Sequence, residues 1–162
     1  METQRRGALR KIATSVLGLV GAAAFGKTLN TGSPENKPDG SITRYGNEED
    51  ENQEVPLFSS SVVHNGLVYI AGKGAHFEGD VKDHTEHVLE ELKKELEKAG
   101  SSMEHVLKVN VYLADLHDYK AMNEVYRGKF GKNPPVRTTV AVYGGVPGDS
   151  LVEIDCIAAL KS

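Results

Sequence analysis

Two charged residues in the C-terminal third of the chain sit where they could handle a small anion. Arg137 lies in the run PPVRTTVAV and Glu153 in LVEIDCIAAL. A guanidinium keeps its charge and presents a rigid fork of donors that fits a planar carboxylate, which a lysine ammonium does not. By residue type alone, an exposed strand arginine making a surface ion pair is the favoured reading. Glu153 alternates with Val152 and Ile154, the pattern of any half-exposed strand. A positioned carboxylate can also act as general acid or base, worth roughly 10² to 10⁴ in rate. Residues 137 and 153 have the same parity, so a hairpin with an odd-numbered connection puts both side chains on one sheet face, and an even-numbered one separates them.

Other chemistry-bearing patterns are weaker. His84 and His87 are three apart on a helical stretch with His76 nearby, but no carboxylate–histidine pattern completes a metal site, and solvated helix histidines are the simpler reading. The run GAAAFGKT at 21–28 satisfies a phosphate-loop pattern without the strand and helix that make such a loop work. Gly72 and Gly74 lack the third glycine of a dinucleotide motif. Cys156 is the single cysteine, so it has no intramolecular disulfide partner and reads as a small buried hydrophobe in a strand. No Ser-His-Asp or Cys-His arrangement can be argued from this order.

These residues need a framework, and hydropathy patterning supplies one. Strand-like runs at 58–63 and 67–71 flank His64-Asn65-Gly66, and Asn-Gly is a strong hairpin signal because a type I′ turn needs two residues tolerant of positive φ. A helix is expected over 83–99, with Val88, Leu92, Leu96 and Ala99 on one stripe, Leu89 beside it, a capping-box-like start at Asp83 and Glu86, and Gly100 as stop. Residues 106–113 alternate as a strand, with Val109, Val111 and Leu113 on one side. A second helix is expected over 118–129, with Tyr119, Met122 and Tyr126 at helical spacing and Pro134-Pro135 as its stop. Tyr126 reads as structural there. Two more strands, 136–142 and 151–160, are read as a hairpin joined by YGGVPGDS. The order ββ-α-β-α-ββ points to an α+β sandwich with two helices on one face of a mixed sheet. The other face needs a cover, and self-association is the simplest one in so small a domain.

The chain has 162 residues, with 39% hydrophobic and 26% charged, near the average of a soluble globular domain. Residues 1–26 hold Arg5, Arg6, Arg10 and Lys11 against Glu2, so the remainder is more acidic than the formal net charge of −4. An acidic body argues against nonspecific binding to nucleic acid or anionic membranes. Residues 1–11 are basic, 12–25 are small and apolar, and Ala22-x-Ala24 offers a peptidase site, which together read as an export signal. The apolar run is shorter than the roughly 20 residues of a membrane-spanning helix, so membrane contact is expected only through an uncleaved signal. Arg5-Arg6 make it resemble a twin-arginine signal, with general secretion as the alternative, and the expected location is periplasmic. Residues 27–54 carry Gly and Pro breakers and the acidic run EEDENQE, and read as a flexible linker in which 41–45 could add an edge strand. The folded domain is then 55–162.

The run AGSSMEHVLKVNVYLADLHDYKAMNEVY, followed by PPVRTTVAV and VEIDCIAAL, resembles the Rid family of reactive intermediate deaminases, also called the YjgF family, over essentially all of 55–161. The resemblance implies a chorismate-mutase-like homotrimer with three sites between subunits. It implies hydrolysis of 2-imino acids and their enamine tautomers to 2-keto acids and ammonia, with no metal or organic cofactor. It gives Arg137 the substrate carboxylate and Glu153 the attacking water. Gly72 matches a glycine whose backbone approaches the ligand, with a β-bulge glycine as the alternative. Asn123 matches a helix asparagine near the site, with an exposed helix residue as the alternative. Many active members carry a tyrosine where this chain has Phe58, and a cysteine where it has Thr139, so both positions are expected to reshape the pocket; Phe58 leaves room for an apolar substrate side chain. An extracytoplasmic imine source, such as an amino-acid oxidase, is the implied partner. A non-catalytic carboxylate-binding module is the alternative, and a ribonuclease, an activity of some members, is a second. The acidic body and the lack of interleaved basic and aromatic residues weigh against RNA.

Overall fold

In a computed structural model of the chain, the described residues are 40–46 and 55–162. The expected export signal, the phosphate-loop pattern and most of the expected linker lie outside them. In chain order the elements are β1 (Ile42–Gly46), β2 (Ser59–His64), β3 (Leu67–Lys73), α1 (Val81–Lys98), β4 (Val106–Leu113), α2 (Tyr119–Tyr126), β5 (Val136–Ala141) and β6 (Val152–Ala159). The α+β architecture expected from the sequence is present: one mixed six-stranded sheet and two helices. β1 pairs with β2, so the sheet begins inside the stretch read as linker.

The β2–β3 hairpin forms where Asn-Gly required it, with φ of 50° at Asn65 and 76° at Gly66, both positive as a type I′ turn demands. α1 starts two residues before the expected Asp83. Asp80 Oδ1 accepts from the Lys82 and Asp83 amides at 2.7 and 3.0 Å, and Asp83 Oδ2 accepts from the Asp80 amide, so Asp83 is the third helical residue of a capping box whose cap is Asp80. The helix ends as expected at Gly100, where φ is +86°, and the Ser101 and Gly100 amides reach back to Leu96 and Glu97 in a Schellman arrangement. α2 is shorter than expected. It ends at Tyr126, ahead of positive-φ Gly128, and Pro134-Pro135 play no part in stopping it.

The strand order is β1-β2-β3-β6-β4-β5. β6 therefore lies in the middle, antiparallel to both β3 and β4, while β5 runs parallel to β4 at the edge. The expected β5–β6 hairpin does not exist: YGGVPGDS carries the chain across β4. Val152, Ile154, Cys156 and Ala158 of β6 face the same core as Val109, Val111 and Leu113 of β4 and the Val88–Leu92–Leu96 stripe of α1, all buried. Cys156 is buried as expected, and burial pushes its thiol up to about 12. The opposite face carries Tyr69, Asn110, Tyr112, Glu153, Asp155 and Ile157, as the pairs Tyr69–Ile157, Asn110–Asp155 and Tyr112–Glu153 require.

Candidate active site

Arg137 pairs across the strands with Val109, a core-facing residue. Its side chain therefore lies on the helix face, at the β5 edge. The guanidinium rests 4.6 Å from the centre of the Tyr126 ring and 5.7 Å from that of Tyr119, and Nη2 donates to Tyr119 Oη at 3.3 Å. Cation–π contacts of this kind are worth about 0.5 to 2 kcal/mol, more as water is excluded. No carboxylate pairs with Arg137 among the described residues. The ordinary surface ion pair is thus absent, and the charge is held on an aromatic seat.

The seat comes from α2. Tyr119 and Tyr126 are seven residues apart and so share a helix face. Tyr126 is buried, packs on buried Phe130 at 4.9 Å, and leaves its hydroxyl without a hydrogen-bond partner among the described residues. Burial raises the phenol to about 12 against the opposing pull of Arg137, so it stays protonated. Arg137 and Thr139 line a cleft of about 700 Å³ together with Tyr119, His117 and Lys120. Thr139 Oγ1 is buried and has no hydrogen-bond partner among the described residues. Asn123 joins Arg137 in a neighbouring cleft of about 640 Å³. The structure thus brings Arg137, Thr139 and Asn123 together.

Glu153 lies on the other side of the sheet. Its partner across the strands is Tyr112, on the face turned away from the helices, so the hairpin argument that could have put it beside Arg137 does not apply. Glu153 instead meets Gly72: a Cβ there would overlap its carboxylate, with Cδ only 2.7 Å away. Gly72 also falls where the β3–β6 register shifts between Ile70 and Lys73. The register shift fits the expected bulge, and the group that crowds Gly72 within the chain is Glu153. Phe58 precedes β2, about half exposed, where the antiparallel register of Ser61 with Ile70 runs it toward the Gly72 end of β3. On the same open face, Asp155 accepts from Asn110 Nδ2 at 2.9 Å and Tyr112 Oη at 3.0 Å, and burial followed by that bond raises the Tyr112 phenol.

The six expected residues therefore fall into two groups: Arg137, Thr139 and Asn123 at the β5 edge, and Glu153 with Gly72 on the open face, with Phe58 near that end of β3. Sequence reasoning missed Tyr119 and Tyr126 as the seat of Arg137, because tyrosines seven apart on a helix read as core. It also misread His84, which is buried rather than solvated. Its Nδ1 accepts from the Leu151 amide at 3.1 Å, which leaves Nε2 to donate to the Phe77 carbonyl at 2.9 Å. Among the described residues no three His, Cys, Asp or Glu side chains gather as a metal set.

Comparison with known proteins identifies the fold and the family. Residues 51–160 match the family described as endoribonuclease L-PSP. A RutC family protein of Pyrococcus horikoshii is 41% identical over 117 residues, which cover 67% of this chain and 92% of that one. Reactive Intermediate Deaminase A of Arabidopsis thaliana, a chloroplast protein, is 34% identical over 64% of this chain and 58% of its own. Among solved structures, a YjgF family member from Neisseria meningitidis superposes with a TM-score of 0.67 at 27% identity, over 76% of this chain and 98% of that one. The chain belongs to the endoribonuclease L-PSP family, the group that also carries the YjgF and RutC names and includes a reactive intermediate deaminase.

Proposed function

We propose that the protein is a hydrolase that deaminates 2-imino acids and their enamine tautomers, acting as a homotrimer with its sites between subunits. The observation that carries this reading is the Arg137 guanidinium, seated on Tyr126, free of any carboxylate among the described residues, and open to the cleft with Thr139. A charge held that way is preorganised for a ligand carboxylate. Water adds across the C=N bond to give a carbinolamine, which collapses to the 2-keto acid and ammonia, so imine plus water balances keto acid plus ammonia. Arg137 fixes the carboxylate. Glu153 takes a proton from the attacking water and returns it to the leaving nitrogen. The Gly72 backbone and Thr139 line the imine end, and Phe58 and Asn123 shape the rest of the wall.

Glu153 and Arg137 occupy opposite faces of one chain's sheet, so this site is complete only where the open face of one copy meets the β5 edge of another. That requirement supports the between-subunit arrangement. The test is ammonia release from imino acids generated in situ by an amino-acid oxidase, by wild type and Arg137→Ala. Hydrogen bonds to a charged group contribute about 1.5 to 3 kcal/mol each, so the variant should lose a factor of about ten to several hundred. Equal rates for the two proteins would overturn the assignment.

A second reading follows from the same split. One chain alone holds the Arg137 cleft without Glu153, which suffices for a non-catalytic carboxylate-binding module; Arg137-dependent binding without turnover would select it. The family description also raises an endoribonuclease, against which the net charge of −4 weighs. RNA cleavage undiminished in Arg137→Ala would place that activity elsewhere. The proposal extends to location: residues 1–26 direct the protein to the periplasm, where an amino-acid oxidase supplies the imine. Cell fractionation of Arg5→Lys/Arg6→Lys beside wild type tests this, with retention of the variant inside the cell as the expected result.

A further inference from the structure

The second cleft beside Arg137 has a charge pattern that the deaminase reading does not use. It shares Tyr119 and Arg137 with the Thr139 cleft and extends past the end of α2 to Pro135. Among the described residues its lining holds three cations, Arg127, Lys132 and Arg137, and no carboxylate. Neither Arg127 nor Lys132 makes an ion pair among the described residues. A nearby carboxylate, Glu104, packs against Gly131 and lines the adjoining cleft, which shares Gly128 and Gly131 with this one.

The loop fixes where these cations stand. The Arg127 amide closes α2 on the Asn123 carbonyl, and two tight turns follow, Lys129 to Tyr126 and Gly131 to Gly128. Positive φ at Gly128 and Gly131, +79° and +77°, lets the chain double back. Phe130 between them is buried against Tyr126 and anchors the turn. Arg127 and Lys132 thus flank an anchored loop. The C-terminal end of a helix carries about half a negative charge, less than Arg127 alone offsets, so Lys132 and Arg137 leave the cleft positive. Asn123 adds an amide donor to the same lining.

Resting on the deaminase reading, we propose that this cleft takes a second carboxylate of the substrate, carried on its side chain, while Arg137 holds the carboxylate next to the imine, so that the preferred substrates are dicarboxylic 2-imino acids. The reaction is the same hydrolysis, and the second carboxylate is unchanged by it. Its selectivity comes from two charges that a monocarboxylic substrate leaves without a partner.

The experiment uses the full chain and two imines made in situ by amino-acid oxidases, one from glutamate and one from 2-aminobutyrate. Wild type should show kcat/KM at least about tenfold higher for the dicarboxylic imine, as expected for charge-assisted bonds, and Arg127→Gln/Lys132→Gln should remove that preference chiefly through KM. Equal kcat/KM in wild type, or a preference that survives in the double variant, would overturn the subsite. Calorimetric titration with glutarate and butyrate separates this outcome from failure of the deaminase reading. If wild type turns over neither imine, that reading falls. Glutarate binding about tenfold tighter than butyrate, and lost in the double variant, then keeps the subsite, while equal binding of the two acids removes it.

Discussion

The Arg137 guanidinium lies 4.6 Å above the ring of Tyr126, a residue itself buried against Phe130. The guanidinium is thus positioned by a helix, although Arg137 belongs to an edge strand. A lone edge-strand arginine would lose several rotamers' worth of freedom on binding; this one is already ordered by its seat.

Removing the seat should therefore weaken ligand binding without touching the charge. Tyr126→Leu is expected to raise the dissociation constant of a small carboxylate by about 5- to 30-fold, the equivalent of a desolvated cation–π contact. Tyr126→Phe keeps the ring and should stay within about threefold of wild type, since the hydroxyl has no hydrogen-bond partner among the described residues. Calorimetric titration of both variants is the check; equal losses in the two would mean that the hydroxyl matters and the ring does not.

Gly72→Ala tests the Glu153 group. The added methyl meets the end of the flexible Glu153 side chain, not backbone, so the carboxylate is displaced while the fold survives. The expected outcome is a fall in kcat of about tenfold or more with near-normal Arg137-dependent binding. Steady-state kinetics paired with direct binding reads this, and a loss of binding equal to the loss of turnover would contradict it.

Because Arg137 and Glu153 face opposite ways from one sheet, inactive variants should rescue each other. Co-refolding Arg137→Ala with Glu153→Ala leaves about one site in four with both residues intact if the copies mix at random and each site draws on two subunits. Recovery of ammonia release toward about a quarter of wild type is expected, and no recovery in verified mixed oligomers would place both residues in a single subunit's site.

The partly buried carboxylate of Glu95 predicts an acid limb in stability. Glu95 accepts from Ser60 Oγ at 2.8 Å and Ser61 Oγ at 2.9 Å and pairs with Lys73 Nζ at 3.4 Å. Desolvation is the largest influence and pushes its carboxyl up, but those partners outweigh it and hold the carboxyl below its ordinary 4.5. A folded-state value below the unfolded one means that the unfolded chain binds more protons. The contribution is therefore complete above about 4.5 and is lost as pH falls through the folded-state value. Urea titrations from pH 3 to 6 should show this slope, and Glu95→Gln should flatten it while lowering stability near neutrality.

Much of this was legible in the sequence where the determining contacts are local. The Val88–Leu92–Leu96 stripe, the Asn65-Gly66 turn and the alternation of Val109, Val111 and Leu113 each fix their own element within a few residues. The capping residue of α1 was misjudged because Asp80 and Asp83 are chemically alike, and only the backbone decides which one caps. The placement of β6 was not legible at all. YGGVPGDS has the composition of a hairpin loop, and nothing local shows that β6 pairs with β3 and β4 and not with β5. The split of the site follows from that same long-range pairing, and so does the invisibility of Arg137's seat, since residue 137 meets Tyr119 and Tyr126 only in the folded chain.

The middle position of β6 has a consequence for biosynthesis. Until residues 152–159 have emerged from the ribosome, β3 and β4 are unpaired edges of two separate fragments, β1-β2-β3 and β4-β5. Exposed edges of that kind template association with other chains. The nascent protein thus completes its sheet only once β6 has emerged, with that one strand zipping both halves, and a chain broken off before Val152 leaves both edges bare.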